Sequence, residues 1–176
     1  MKFTLLTHSR EFAKRSNTGR LVVDVLGGAA EQVCWDRTHP PARLVEEIDA
    51  GGVALIYPGA ADERGGDLTG VRQVILIDST WQEARRIHQR SPYLQNTRRV
   101  SLKSAEASVY NLRKNQKVDG LCTAECVIEI LRRIGRIEDA ERLTSLFLAF
   151  LTRSGAKALP LPGARGGKAR GNDDEA

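Results

Sequence analysis

Short apolar runs alternate with amphipathic stretches along this chain, and the alternation predicts strands and helices in turn. Lys2 to Thr7 alternates weakly and carries Phe3, Leu5 and Leu6, which reads as a first strand. Asn17 or Thr18 can cap a short helix whose Leu21, Val22, Val25 and Leu26 recur at helical spacing. Gly27-Gly28 ends it, and Glu31 to Trp35 reads as a second strand. Pro41 to Ala50 is a helix with proline in its first turn, Leu44, Val45 and Ile48 on one face, and Gly51 after its end. Val53 to Tyr57 is a third strand closed by Pro58-Gly59, and the polar, glycine-containing run from Ala60 to Gly70 is a loop.

The aliphatic run Val74-Ile75-Leu76-Ile77 contains three β-branched residues, as expected of a strand buried on both faces. It ends in Asp78, and the helix formers from Trp81 to His88 follow almost at once. Arg99 to Leu102 reads as a further strand. Beyond a polar connector, Thr123 to Ile134 carries the stripe Val127, Ile130, Leu131 and Ile134, with Gly135 as its stop. A last helix shows the same stripe in Leu143, Leu146, Phe147, Phe150 and Leu151. Strands alternating with helices predict one α/β domain, a mostly parallel sheet with flanking helices, over residues 1–153. Residues 154–176 read as a flexible tail, because after Leu151 there are no aromatics while five glycines and two prolines occur.

Composition narrows the class. The chain has 176 residues, 41% hydrophobic and 28% charged, which fits a single soluble globule. Residues Met1 to Thr7 turn polar too soon for a secretory leader, and the apolar run from Leu143 to Leu151 is too short to span a bilayer. A cytoplasmic protein with no membrane association is expected, and no obligate protein partner is evident. The net charge of +5 favours a polyanionic partner. The tail from Thr152 onward holds five basic and three acidic residues, so the body keeps a surplus of only three. A nucleic-acid site in the body must therefore come from clustering. Cys34, Cys122 and Cys126 show no Cys-x-x-Cys spacing, and no metal is assigned to them or to His8, His39 and His88.

Asp78 is the residue that demands an explanation. A carboxylate at the end of a buried strand is costly unless it is paired, hydrogen-bonded or in use, and open α/β sheets bind ligands at that edge. Ser79 with Gln82, or Thr80 with Glu83, satisfies a capping box, and Trp81 serves equally as core or as a stacking surface. No Gly-x-Gly-x-x-Gly follows any strand and no Walker A pattern occurs.

The Asp78-Ser79-Thr80-Trp81 pattern resembles the DTW domain of the TDD superfamily, and other segments extend the likeness. Thr7-His8-Ser9-Arg10-Glu11 and Ser16-Asn17-Thr18-Gly19-Arg20-Leu21 look like its beginning. Arg37-Thr38-His39-Pro40-Pro41, Tyr57-Pro58-Gly59 and Arg90-Ser91-Pro92-Tyr93-Leu94-Gln95 look like its middle. Leu112-Arg113 and Leu121-Cys122-Thr123-Ala124-Glu125 look like its end. The similarity runs from about residue 3 to residue 151. It implies a SPOUT-like fold with a trefoil knot and an enzyme that transfers the aminocarboxypropyl group of S-adenosylmethionine to N3 of a tRNA uridine. Asp78, Thr80 and Trp81 would then be catalytic. Asp78 would act as base or as substrate-orienting acid, and Trp81 would stack on uracil.

In a SPOUT-like arrangement the donor would be enclosed by loops after late strands, here Pro58, Gly59, Leu102, Leu121, Cys122 and Thr123. Arg10, Arg15, Asn17 and Arg20, with Arg113 and Lys114, adjoin the matched motifs and would meet the RNA. Many bacterial relatives carry a cysteine cluster ahead of the first strand; the sequence here starts at that strand, and no zinc is expected. A SPOUT-type RNA methyltransferase and a non-catalytic RNA-binding protein are the competing expectations.

Overall fold

The computed structural model describes residues 1–58, 67–102 and 121–154. Five strands, β1 (Lys2–His8), β2 (Ala30–Trp35), β3 (Val53–Ile56), β4 (Gln73–Asp78) and β5 (Arg98–Val100), form one sheet in the order β2-β1-β4-β3-β5. Every strand pairing in it is parallel. The helices are α1 (Ser9–Phe12), α2 (Gly19–Leu26), α3 (Ala42–Asp49), α4 (Trp81–Gln89), α5 (Pro92–Gln95), α6 (Thr123–Arg133) and α7 (Ile137–Arg153). The α/β class with a parallel sheet, expected from the alternation of elements, is what the chain adopts. The trefoil knot belongs to the path of the whole chain, part of which, residues 103–120, lies outside the described residues. So do Gly59, Arg113, Lys114 and the tail from residue 155.

Side chains alternate across the sheet and sort the helices into two layers. Phe3 and Leu5 of β1 and Val74 and Leu76 of β4 face a core shared with α2, α6 and α7, where Leu21, Val22, Val127, Leu131, Leu143 and Phe147 are buried. Leu6, Leu55 and Ile75 face the opposite core, closed by Leu44 of α3, Ile87 of α4 and Leu94 of α5. Both faces are covered, so the central strands read as continuous apolar runs rather than as alternating ones. The buried polar residues Thr4 and Gln73 do not contradict this. Gln73 Nε2 donates to Thr4 Oγ1 at 3.0 Å and to Glu47 at 2.8 Å, and Glu47 in turn accepts from Lys2 at 3.0 Å.

Boundaries shift in small ways. The last helix begins at Ile137, well before the Leu143 stripe, because Glu138 and Asp139 suit the positive end of a helix without adding to its apolar face. β5 ends at Val100 rather than Leu102, and the Tyr57 N–H donates to the Val100 carbonyl at 3.0 Å beyond the end of β3. The four-residue turns α1 and α5 are too short to show a hydrophobic period.

Candidate functional site

β1 and β4 lie side by side, yet their onward connections diverge. β1 continues through α2 to β2 on one side, whereas β4 continues through α4 and α5 to β5 beyond β3. Such a divergence opens a crevice at the carboxyl ends of the two strands, where parallel sheets bind ligands. Thr7 and Asp78 are register partners at that point.

Asp78 is 2% exposed and its carboxylate is held by side chains from four segments. Oδ2 accepts from Asn17 Nδ2 at 2.7 Å and from Gln32 Nε2 of β2 at 3.3 Å. The Thr7 hydroxyl, 3.3 Å from the same oxygen, divides its one proton between Asp78 and the Leu5 carbonyl. Oδ1 accepts from the Thr123 hydroxyl at the first turn of α6, at 2.8 Å. These neutral donors stand in for the water that a buried carboxylate loses.

The backbone of α2 comes equally close. A Cβ on Gly19 would lie 2.5 Å from Asp78 Oδ2 and 3.0 Å from Gln32 Nε2. Glycine is therefore required by close approach here, and not by backbone angle. The Ala124 N–H donates to Thr18 Oγ1 at 3.3 Å, so the segment before α2 and the start of α6 are tied a second time beside Asp78.

Thr80 caps α4. Its hydroxyl donates to Glu83 Oε2 at 2.8 Å, its backbone N–H donates to the same oxygen at 3.3 Å, and the Glu83 N–H closes the box on Thr80 Oγ1. Burial pushes the Glu83 carboxyl up, but the bonds from Thr80, with the charge of Lys14 nearby, hold it below the ordinary glutamate value. Trp81 is half-buried at the first turn of α4, edge-on to Tyr57 with ring centroids 6.4 Å apart. Tyr57 also stacks on His88 at 4.5 Å. Burial, with the charge of Arg99, lowers the His88 pKa from its ordinary value. Trp81 thus belongs to an aromatic group at the ends of β3 and β4, on the sheet face opposite the Asp78 hydrogen bonds.

Of the loop residues expected around a donor, Leu102 and Cys122 pack against the core shared by α2, α6 and α7, and Thr123 reaches Asp78. Leu121, next to Cys122, is half-buried, while Pro58 is exposed after β3. Arg10, Arg15 and Arg20 are exposed on the stretch from α1 to the first turn of α2, with Arg20 donating to the Arg15 carbonyl at 2.9 Å. Asn17, expected among the RNA contacts, is only 1% exposed and is a donor to Asp78. Thr7, Gln32 and Gly19 complete the site although none was singled out individually. Gln32 carried one usable signal, being a polar residue on the inward side of β2 opposite Leu5. Gly19 lies in a segment that carries the family resemblance, but no local pattern shows why glycine is needed there, because close approach between distant segments leaves none.

Burial pushes both α6 thiols up, with the Glu125 charge adding to the effect, and Cys126 rises to about 12. Cys34 is exposed. Cys122 and Cys126 are half-buried as well as held protonated, so iodoacetamide at pH 8 is expected to label Cys34 first in the native protein and all three cysteines together after denaturation, read by intact mass over time. Native uptake of the second and third labels as fast as the first would show that Cys122 and Cys126 are not protected. Among the described residues no group of three or more His, Cys, Asp or Glu side chains could hold a metal ion. Likewise, no helix there is long and apolar enough to cross a membrane.

Compared with known families, residues 1–154 match the DTW domain. No solved structure matches the chain.

Proposed function

The chain belongs to the DTW domain family, which is associated with tRNA modification, and from that premise we propose that it transfers the 3-amino-3-carboxypropyl group of S-adenosylmethionine to N3 of a tRNA uridine. In that reaction N3 attacks the side-chain carbon bonded to the sulfonium. The new N–C bond forms as the C–S bond breaks, its electron pair returns to sulfur, and methylthioadenosine leaves. The N3 proton must go to a base or to water. Because the sulfonium bears three carbons, the product depends on which carbon faces the nucleophile, a matter of positioning.

One observation carries the reading: the Asp78 carboxylate joins the segment Asn17 to Gly19 to Thr123 at the crevice between β1 and β4. The first segment leads into the arginines that would meet RNA, and the second belongs to the loop that would enclose the donor. Asp78 therefore acts as a positioning residue that fixes acceptor and donor relative to one another. A role as base would fall to Oδ1, which accepts only from Thr123, and would require uridine to reach a carboxylate that is 2% exposed. Thr80 acts through α4, whose cap it forms, and Trp81 offers the ring that could meet uracil.

Mass spectrometry of nucleosides from tRNA incubated with the protein and S-adenosylmethionine tests the proposal. A uridine heavier by the aminocarboxypropyl group, with methylthioadenosine released in equal amount, is expected. A methylated nucleoside with S-adenosylhomocysteine would identify a methyltransferase instead. RNA binding with no donor consumption would identify a non-catalytic RNA-binding protein.

A further inference from the structure

The four-residue turn α1 has its sides exchanged relative to an ordinary surface turn. Glu11 is 0% exposed, whereas the neighbouring Phe12 is 45% exposed, one of two large hydrophobic residues so exposed among the described residues. Hiding a carboxylate costs free energy unless it is compensated, and Lys14 pairs with Glu11 from the rim. Leaving a phenylalanine in water forgoes the gain from burying it. With 45% of its surface in water, the ring leaves much of that gain unrealised until something else covers it.

Its surroundings show what would. Arg10 precedes Phe12 on the same turn, Arg15 follows, and Arg20 is fastened to this segment through the Arg15 carbonyl at 2.9 Å. The Arg20 guanidinium also lies 5.5 Å from the centre of the Phe150 ring, and its backbone N–H donates to Asn17 Oδ1 at 3.3 Å. Asn17 is the residue whose amide holds Asp78. On the other side, the charge of Lys14 is felt by Glu83 in the first turn of α4. Phe12 thus sits on a short segment, with Arg10, Lys14 and Arg15, that leaves the carboxyl end of β1 and leads into α2.

We propose that Phe12 is a stacking platform for an unpaired base of the RNA substrate, a nucleotide flanking the modified uridine, while Arg10, Arg15 and Arg20 hold the phosphates on either side. An aromatic ring set among arginines matches single-stranded nucleic acid, in which each base offers a flat face and each linkage a negative charge. A single phenylalanine with so few cations is a poor membrane anchor, since stable attachment to a bilayer takes a larger apolar face or two signals. The inference rests on the tRNA reading above and adds a contact to it that lies outside the reacting group.

The test measures binding of a dye-labelled oligouridine and of unmodified tRNA to the full chain by fluorescence anisotropy, at low and moderate salt. Phe12→Ala should weaken oligouridine binding about tenfold, the scale of one lost stack, and leave the salt dependence unchanged. Phe12→Tyr should bind like wild type. Arg15→Gln should instead flatten the salt dependence. The melting temperature of Phe12→Ala should fall by no more than about 5 °C, which leaves it folded in the assay and separates lost stacking from lost fold. Wild-type affinity for both RNAs in Phe12→Ala would overturn the platform while leaving the function intact. Absence of RNA binding by the wild-type protein would overturn both. Binding to vesicles containing phosphatidylserine that depends on Phe12, with RNA affinity unaffected, would reassign the ring to a lipid surface.

Discussion

Gly19→Ala is expected to destabilise the protein by about 1–3 kcal/mol, the usual scale of overpacking in a well-filled interior. It is also expected to lower turnover about a hundredfold, as misplacements near 1 Å at reacting centres do. The added carbon would lie 2.5 Å from Asp78 Oδ2 and 3.0 Å from Asp78 Cγ, so one of the two must move. Neither moves freely. Asp78 closes a central strand and is held by donors on both oxygens, while α2 is fixed through Leu21 and Val22 in the core beneath it. A shift of α2 would carry Asn17 and Arg20 with it and detach the RNA-facing segment from the donor-facing one.

Gly28→Ala is the control. A Cβ there meets nothing within 4 Å, and melting temperature and activity should be unchanged. Combining Gly19→Ala with Asp78→Ser should restore part of the lost stability, because the serine side chain no longer fills the contested space. Such non-additivity is the signature of contact between two sites. A Gly19→Ala protein with wild-type melting and turnover would mean that α2 is not held against Asp78.

How much of this was legible in the sequence depends on whether the cause was local. The run Val74 to Ile77 announced a strand covered on both faces because burial on two sides leaves no room for alternation. The cap at Thr80 was readable because both halves of the box lie within four residues. Asp78 stood out because an acid at the end of such a strand needs partners. Which partners it would find was not readable. Asn17 and Thr123 lie 61 and 45 residues away, and only the order of strands brings them to one carboxylate. Sequence proximity groups Asn17 with Arg15 and Arg20, yet its side chain turns inward while theirs face solvent. Adjacency in a segment that changes direction says little about which side chains share a surface.

Asp78→Asn separates positioning from proton transfer. The amide keeps one accepting oxygen and replaces the other with a donor. Turned toward Asn17 and Gln32, its N–H groups would oppose two donors. Turned toward Thr123, they face a hydroxyl that can rotate and accept, so the second orientation is favoured. The fold should therefore survive with a loss of about 1–3 kcal/mol, the value of hydrogen bonds to a charged group. Activity should fall by about one to two orders of magnitude through misalignment, with a higher KM for S-adenosylmethionine as well as a lower kcat. If Asp78 acts by positioning, the residual activity keeps the wild-type pH profile. Thr123→Val, which removes the Oδ1 partner without touching the carboxylate, should then shift KM and kcat in the same direction. A different outcome would identify a base. In that case Asp78→Asn would lose kcat almost entirely and with it the acid limb of the pH profile, while Thr123→Val kept wild-type kinetics. The burial of the carboxylate and the donors on both its oxygens favour the first result, since a base must be reached by the uridine whose proton it takes.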